Sequence, residues 1–241
     1  MRMLDLFCGR LGWSKAFAAR GWECVGVDLV EPKETALGFK FVHADVLNIG
    51  ERFVFEGEFD FICASSPCEQ FSVHGMKHFH PNPPYPELGI KLFNHTRQLC
   101  EQSGVPYVME NVRAAQQFVG RAVHHCGPFY LWGSGVPAIM PQGISKNTKW
   151  GAPREWRKLN DPRYSATGWK KRIREPHGMT GTRQAWSGSK EREELRAEVA
   201  TIPPELANCI ADYAERLLEQ TMSKQRVSGR DPVESRSGDE L

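Results

Sequence analysis

The sequence has no apolar run approaching the ~20 residues that a bilayer-spanning helix needs, which argues against a helical membrane protein. It also lacks any C-x-x-C pair. Its seven cysteines, Cys8, Cys24, Cys63, Cys68, Cys100, Cys126 and Cys209, are scattered and odd in number. That pattern disfavours both a zinc site and a disulfide framework, and it fits a reducing cytoplasm. Net charge is nearly absent too: 31 basic against 29 acidic residues leave +2, so bulk charge alone names no partner. No internal repeat is visible, which sets solenoids aside. Met1–Phe7 passes straight into an apolar stretch with none of the regions of a signal peptide, so a leader is not expected.

What is present is an ordinary globular composition, 40% hydrophobic over 241 residues. That is enough for one domain with a lobe inserted. The first half alternates short apolar runs with amphipathic stretches, the signature of a parallel α/β sheet. Strands are predicted at Met3–Phe7, Cys24–Asp28, Phe39–Ala44, Phe59–Ser65 and Pro106–Asn111, with a further strand, paired in a hairpin, within His124–Trp132. Helices are predicted at Trp13–Arg20, closed by Gly21, and at Tyr85–Ser103.

The character changes near Gly133. Between Ile144 and Lys190 stand twelve basic residues, opposed only by Glu155, Asp161 and Glu175. Trp150, Trp156, Tyr164, Trp169 and Trp186 are interleaved among them. Basic residues with aromatics suit a nucleic-acid surface better than a linker. From Glu191 the chain reads as helical, interrupted at Pro203-Pro204. After Thr221 it reads as a polar tail without a core. The expected organisation is therefore a core at 1–132, a small basic region at 133–190, a helical segment completing the core at 191–220, and a disordered tail at 221–241.

Two constellations carry the chemistry. The first is Asp5-Leu6-Phe7-Cys8-Gly9-Arg10-Leu11-Gly12, a strand-to-helix loop in which glycines admit a ligand close to the backbone and the helix start offers free N–H groups. Asp28 ends the next strand, where a carboxylate can accept both ribose hydroxyls of a nucleoside cofactor. Asp45, after the third strand, can accept from an adenine amino group. Such loops serve NAD, FAD and S-adenosylmethionine alike, and a plain tight turn has the same look. The second constellation is Pro67-Cys68, just past the fourth strand at the carboxyl edge where ligands collect in open α/β folds. Glu110, at the end of the fifth strand, brings a carboxyl group to the same edge. A lone cysteine is more often a small core residue, and Cys24, Cys63, Cys100 and Cys209 are read that way.

These motifs resemble those of the DNA cytosine-5 methyltransferase family. Asp5 to Gly12 is similar to its D-L-F-C-G-x-G-G motif; Pro67, Cys68, Phe71 and Ser72 to its P-C-Q-x-F-S; and Glu110-Asn111-Val112 to its E-N-V. The resemblance covers roughly residues 1–132, with Ile202–Leu218 similar to the family's closing helix. The short chain and small basic lobe resemble phage-encoded or restriction–modification members.

The resemblance implies a Rossmann-like, S-adenosylmethionine-dependent methyltransferase fold with a mostly parallel sheet and a small inserted target-recognition lobe. It implies a monomer acting on double-stranded DNA without a metal. In the implied reaction a cytosine flips out of the duplex, Cys68 attacks C6, and Glu110 holds N3 and the exocyclic amine. C5 then takes the methyl group. Arg121 is the candidate for a third catalytic position. Asp5, Phe7, Gly9, Gly12, Asp28, Asp45 and Pro67 are the candidate cofactor residues, and Pro203–Leu218 is the candidate for a helix closing the cofactor pocket.

Two departures stand out. Leu11 occupies a family glycine, where a side chain would crowd the cofactor or change the turn. Glu69 occupies the family glutamine, with Gln70 displaced by one. The segment His78–Tyr85 is read as a mobile catalytic loop, and His124 and His125 equally as ordinary strand residues. The alternatives are an RNA cytosine-5 methyltransferase and an inactive nucleic-acid-binding relative.

Overall fold

Alternation along the strands decides which side chains meet which helices. A computed structural model describes residues 1–71, 86–142 and 201–227. Seven strands form one sheet in the order β3-β2-β1-β4-β5-β7-β6. They are β1 (Arg2–Leu6), β2 (Glu23–Asp28), β3 (Phe39–His43), β4 (Phe61–Ala64), β5 (Tyr107–Asn111), β6 (His124–Cys126) and β7 (Phe129–Trp132). The first five run parallel. The β6–β7 hairpin then adds β7 antiparallel to β5. All five parallel strands and the hairpin lie where the sequence places them, within about two residues at their ends.

The sheet carries helices on both faces. On one lie α1 (Gly12–Ala18) and α5 (Pro204–Val227), over Met3, Cys24, Phe61, Cys63 and Val108. On the other lie α2 (Glu51–Glu56) and α3 (Glu87–Ser103), over Leu4, Leu6, Val25, Val27, Ile62, Ala64, Tyr107 and Met109. A single-turn helix α4 (Gln116–Val119) precedes the hairpin. This arrangement is a Rossmann-like α/β fold with a mostly parallel sheet.

The C-terminal helix is anchored by shape and by charge. Leu206, Ala207, Ile210, Ala211 and Ala214 form a fully buried stripe at helical spacing. Arg20 at the end of α1 pairs with Asp212 and donates to Asn208, and Trp22 Nε1 donates to Glu215 Oε1 at 3.2 Å. Pro204 opens the helix, where its missing N–H costs nothing. The helix runs to Val227, seven residues into the stretch that composition assigned to a disordered tail. The sequence did not foresee α2, in which only Val54 is buried. Most of the basic region at 133–190, the His78–Tyr85 stretch and the segment 191–200 lie outside the described residues.

Candidate functional site

The strand order reverses between β1 and β4, and the loops leaving their carboxyl ends diverge around a crevice there. A cavity of about 880 Å³ occupies it, within the range of small-molecule sites. Its walls come from the loop after β1 (Phe7, Gly9, Arg10, Gly12), the end of β2 (Asp28 to Val30), the turn after β3 (Asp45, Val46) and the loop after β4 (Ser65, Pro67). Leu92 of α3, Thr201-Ile202 ahead of α5 and the charged turn Glu31–Glu34 also border it.

The loop after β1 is built on left-handed backbone. Phe7 has φ 62°, Gly9 φ 46° and Leu11 φ 59°. Leu11 is fully buried and is not among the cavity-lining residues, so it neither crowds the cavity nor unwinds the turn. It adopts, at a cost in backbone energy, the conformation that glycine takes freely. Gly12 has a different role. A Cβ there would stand 2.9 Å from the Ile202 Cβ and 3.0 Å from its backbone nitrogen. Glycine at position 12 is what lets the segment before α5 close onto the cavity.

Asp28 holds the loop from the side. Its Oδ2 accepts from the Gly9 N–H at 3.0 Å and its Oδ1 from the Val30 N–H at 3.2 Å. Each oxygen keeps a further lone pair. Leu29 and Val30, exposed for their size at 60% and 72%, form an apolar rim beside it. Asp45 caps the short turn Val46–Asn48 by accepting from Leu47 N–H at 2.9 Å.

Asp5 lies elsewhere. Alternation turns it under α1, where it is buried, and its Oδ2 accepts from the Ser14 N–H and hydroxyl at 3.2 and 2.6 Å. It does not line the cavity. Burial raises its carboxyl to about 7, against the opposing hydrogen bonds from Ser14. Its other oxygen, Oδ1, is buried and has no hydrogen-bond partner among the described residues.

The second half of the site follows from the register of β4 and β5. Ala64 pairs with Met109, so the chain leaving β4 passes beside Glu110 and Asn111. The Asn111 side chain, fully buried, donates from Nδ2 to the Ser66 carbonyl at 3.0 Å and to its hydroxyl at 3.1 Å. Its Oδ1 accepts from the Val112 N–H at 2.8 Å. Asn111 thus fixes the residue two before Cys68 to the strand that carries Glu110. Trp13 Nε1 donates to Ser65 Oγ at 2.9 Å and ties the same loop to α1.

Cys68 is half-buried and Glu110 is buried on the α1/α5 side of the sheet, in alternation with Val108. The other six cysteines are all held as thiols. Burial, with Asp5 and Asp28 nearby, raises Cys8. Burial raises Cys24 and Cys100 to about 12. It likewise lifts Cys63, Cys126 and Cys209. A thiolate nucleophile at neutral pH is therefore not to be sought among them. Arg121 is exposed on the connection between α4 and β6 and does not line the cavity. The residues that sequence reasoning passed over are Asn111 as a clamp, Leu29 and Val30 as a rim, and Thr201-Ile202. Asn111 carried a signal in its place in the Glu-Asn-Val run, and Ile202 in opening the segment similar to the family's closing helix.

The family model for C-5 cytosine-specific DNA methylases matches residues 1–122, the stretch holding the loop after β1, Asp28, Asp45, Cys68 and Glu110. The chain belongs to the C-5 cytosine-specific DNA methylase family. The family is one of DNA-modifying enzymes and implies a methyl donor as cosubstrate. No curated protein matches the chain. Among solved structures, the bifunctional kinase-methyltransferase WbdD aligns at 22% identity with a TM-score of 0.28, over 45% of this chain and 23% of that one. Monomeric WbdD aligns at 18% identity with a TM-score of 0.33, over 55% and 36%. The chain spans a minor part of either. Among the described residues, no helix is long and apolar enough to cross a membrane.

Proposed function

We propose that the protein transfers a methyl group from S-adenosylmethionine to C5 of a cytosine flipped out of double-stranded DNA, through a covalent adduct on Cys68. The observation that carries this reading is the clamp of Asn111 on Ser66, which brings the Cys68 loop against the strand bearing Glu110, at the edge of the cavity.

The cavity fits the cofactor in size and in donor set. Asp28 offers carboxylate lone pairs for ribose hydroxyls, Leu29 and Val30 offer an apolar slot for adenine, and Gly9 leaves the wall of the cavity without a side chain. Asp45 suits the adenine amino group, and Phe7, Gly9, Gly12 and Pro67 form the nearby walls. When bound, S-adenosylmethionine supplies an electrophilic methyl group.

The protein's own residues do the rest. Cytosine C5 is a poor nucleophile until C6 is saturated, so Cys68 adds to C6 as a thiolate. Glu110 binds the base at N3 and the exocyclic amine, and protonation at N3 lowers the barrier to that attack. Asn111 keeps the two groups in register. Once C5 carries the methyl group, a base removes the C5 proton, the released electron pair re-forms the C5–C6 double bond, and Cys68 leaves C6 as a thiolate. Asp5 supports the loop from beneath.

The test is incubation with methyl-labelled S-adenosylmethionine and matched DNA and RNA duplexes. Label recovered as 5-methylcytosine in the DNA supports the reading. Label confined to the RNA makes it an RNA enzyme, and label in neither overturns methyl transfer.

A further inference from the structure

The turn that carries Cys68 is held from a second side. Gln70 Oε1 accepts from the Gly89 N–H at 2.7 Å, across 19 residues of chain. Gly89 lies in the first turn of α3, where backbone N–H groups have no partner within the helix. The residue before the helix is Pro86, and no side-chain cap comes from it. Gln70 supplies that cap from another loop.

Two further contacts seat the same turn on the same spot. Phe71 is fully buried, and a Cβ on Gly89 would come within 3.1 Å of its ring. Phe71 N–H donates to the Cys68 carbonyl at 3.1 Å, closing the turn. Farther along α3, Leu92 lines the cavity, and His95 Nε2 lies 2.9 Å from the Val46 carbonyl in the turn after Asp45. One helix therefore borders the cavity and also bears the Cys68 turn.

We infer that Gln70 is a positioning residue for Cys68, seating the nucleophile's turn on the start of α3 as Asn111 seats its other side. Its carbonyl oxygen works toward the protein and not toward the nucleic acid. This rests on the reading of Cys68 as the nucleophile.

The experiment compares Gln70→Ala and Gln70→Glu in the full chain. The readouts are methyl-transfer kinetics and the rate at which iodoacetamide alkylates Cys68 without DNA, resolved by peptide mass spectrometry. Gln70→Ala is expected to lower kcat about tenfold, the equivalent of ~1.4 kcal/mol, with KM for DNA unchanged and Cys68 alkylation faster. Gln70→Glu keeps an acceptor and adds a charge favoured at a helix start, so it restores both readouts toward the parent.

Unchanged alkylation in Gln70→Ala overturns the inference. So does a Gln70→Glu variant whose KM for DNA rises more than that of Gln70→Ala, because that result places the side chain against phosphate. If the parent transfers no methyl group, the functional reading fails while the alkylation arm still decides the positioning role.

Discussion

Replacing Leu11 by alanine and, separately, by glycine isolates the energy stored in the loop after β1. Leu11 sits at φ 59°, ψ 35° with its side chain fully buried. Either replacement empties the leucine's place, at about 2–5 kcal/mol. The two differ in backbone terms. Alanine keeps the left-handed penalty of about 1–2 kcal/mol, which glycine escapes. Glycine in turn gives back about 0.4–1 kcal/mol through its freer unfolded chain. The glycine variant should therefore be the more stable of the two by about 0.8 kcal/mol at the middle of these ranges, the reverse of their usual order. Urea unfolding near neutral pH reads this directly as a difference in midpoint at equal slope. An alanine variant as stable as the glycine variant, or more so, refutes the claim that the backbone here is strained.

Asp5 predicts a pH dependence of stability. Its carboxyl stands at about 7 in the folded state against an ordinary 3.8, so the folded state keeps a proton that the unfolded state releases. Stability from this group is full below the lower value, declines at ~1.4 kcal/mol per pH unit across the window, and levels off above about 7. Asp5→Asn mimics the protonated acid and should flatten that decline in urea midpoints; equal slopes in both proteins would refute the assignment. Gly12→Ala should push Ile202 off the cavity wall, costing about 1–3 kcal/mol of stability through overpacking. It should also weaken binding of S-adenosylhomocysteine in calorimetry, and unaltered binding would mean that Ile202 closes nothing.

The centre of the sheet was legible because β1, β2, β4 and β5 are short, largely apolar runs buried on both faces and punctuated by turn residues. Glu51–Glu56 was not, since six residues with one buried side chain give no period. Asp5 was read as a cofactor residue because its motif stands at the loop. Only the packing of α1 shows that the Ser14 hydroxyl donates to its carboxyl group. Leu11 looked like an obstruction because sequence reports its bulk and not the direction in which it points. Gln70 is the clearest case of what spacing cannot give. Its partner, Gly89, comes from the next helix, so the sequence shows only a glutamine displaced by one and not the hydrogen bond it makes.

The most direct measurement is covalent trapping. A pool of DNA duplexes carrying 5-fluorocytosine, incubated with the protein and S-adenosylmethionine, cannot lose the C5 substituent and so holds the enzyme on the base. The expected result is a denaturation-resistant complex whose peptide mass places the methylated base on Cys68, and which Cys68→Ala abolishes. No complex from the parent protein, or one that survives Cys68→Ala, contradicts a role for Cys68 as the nucleophile.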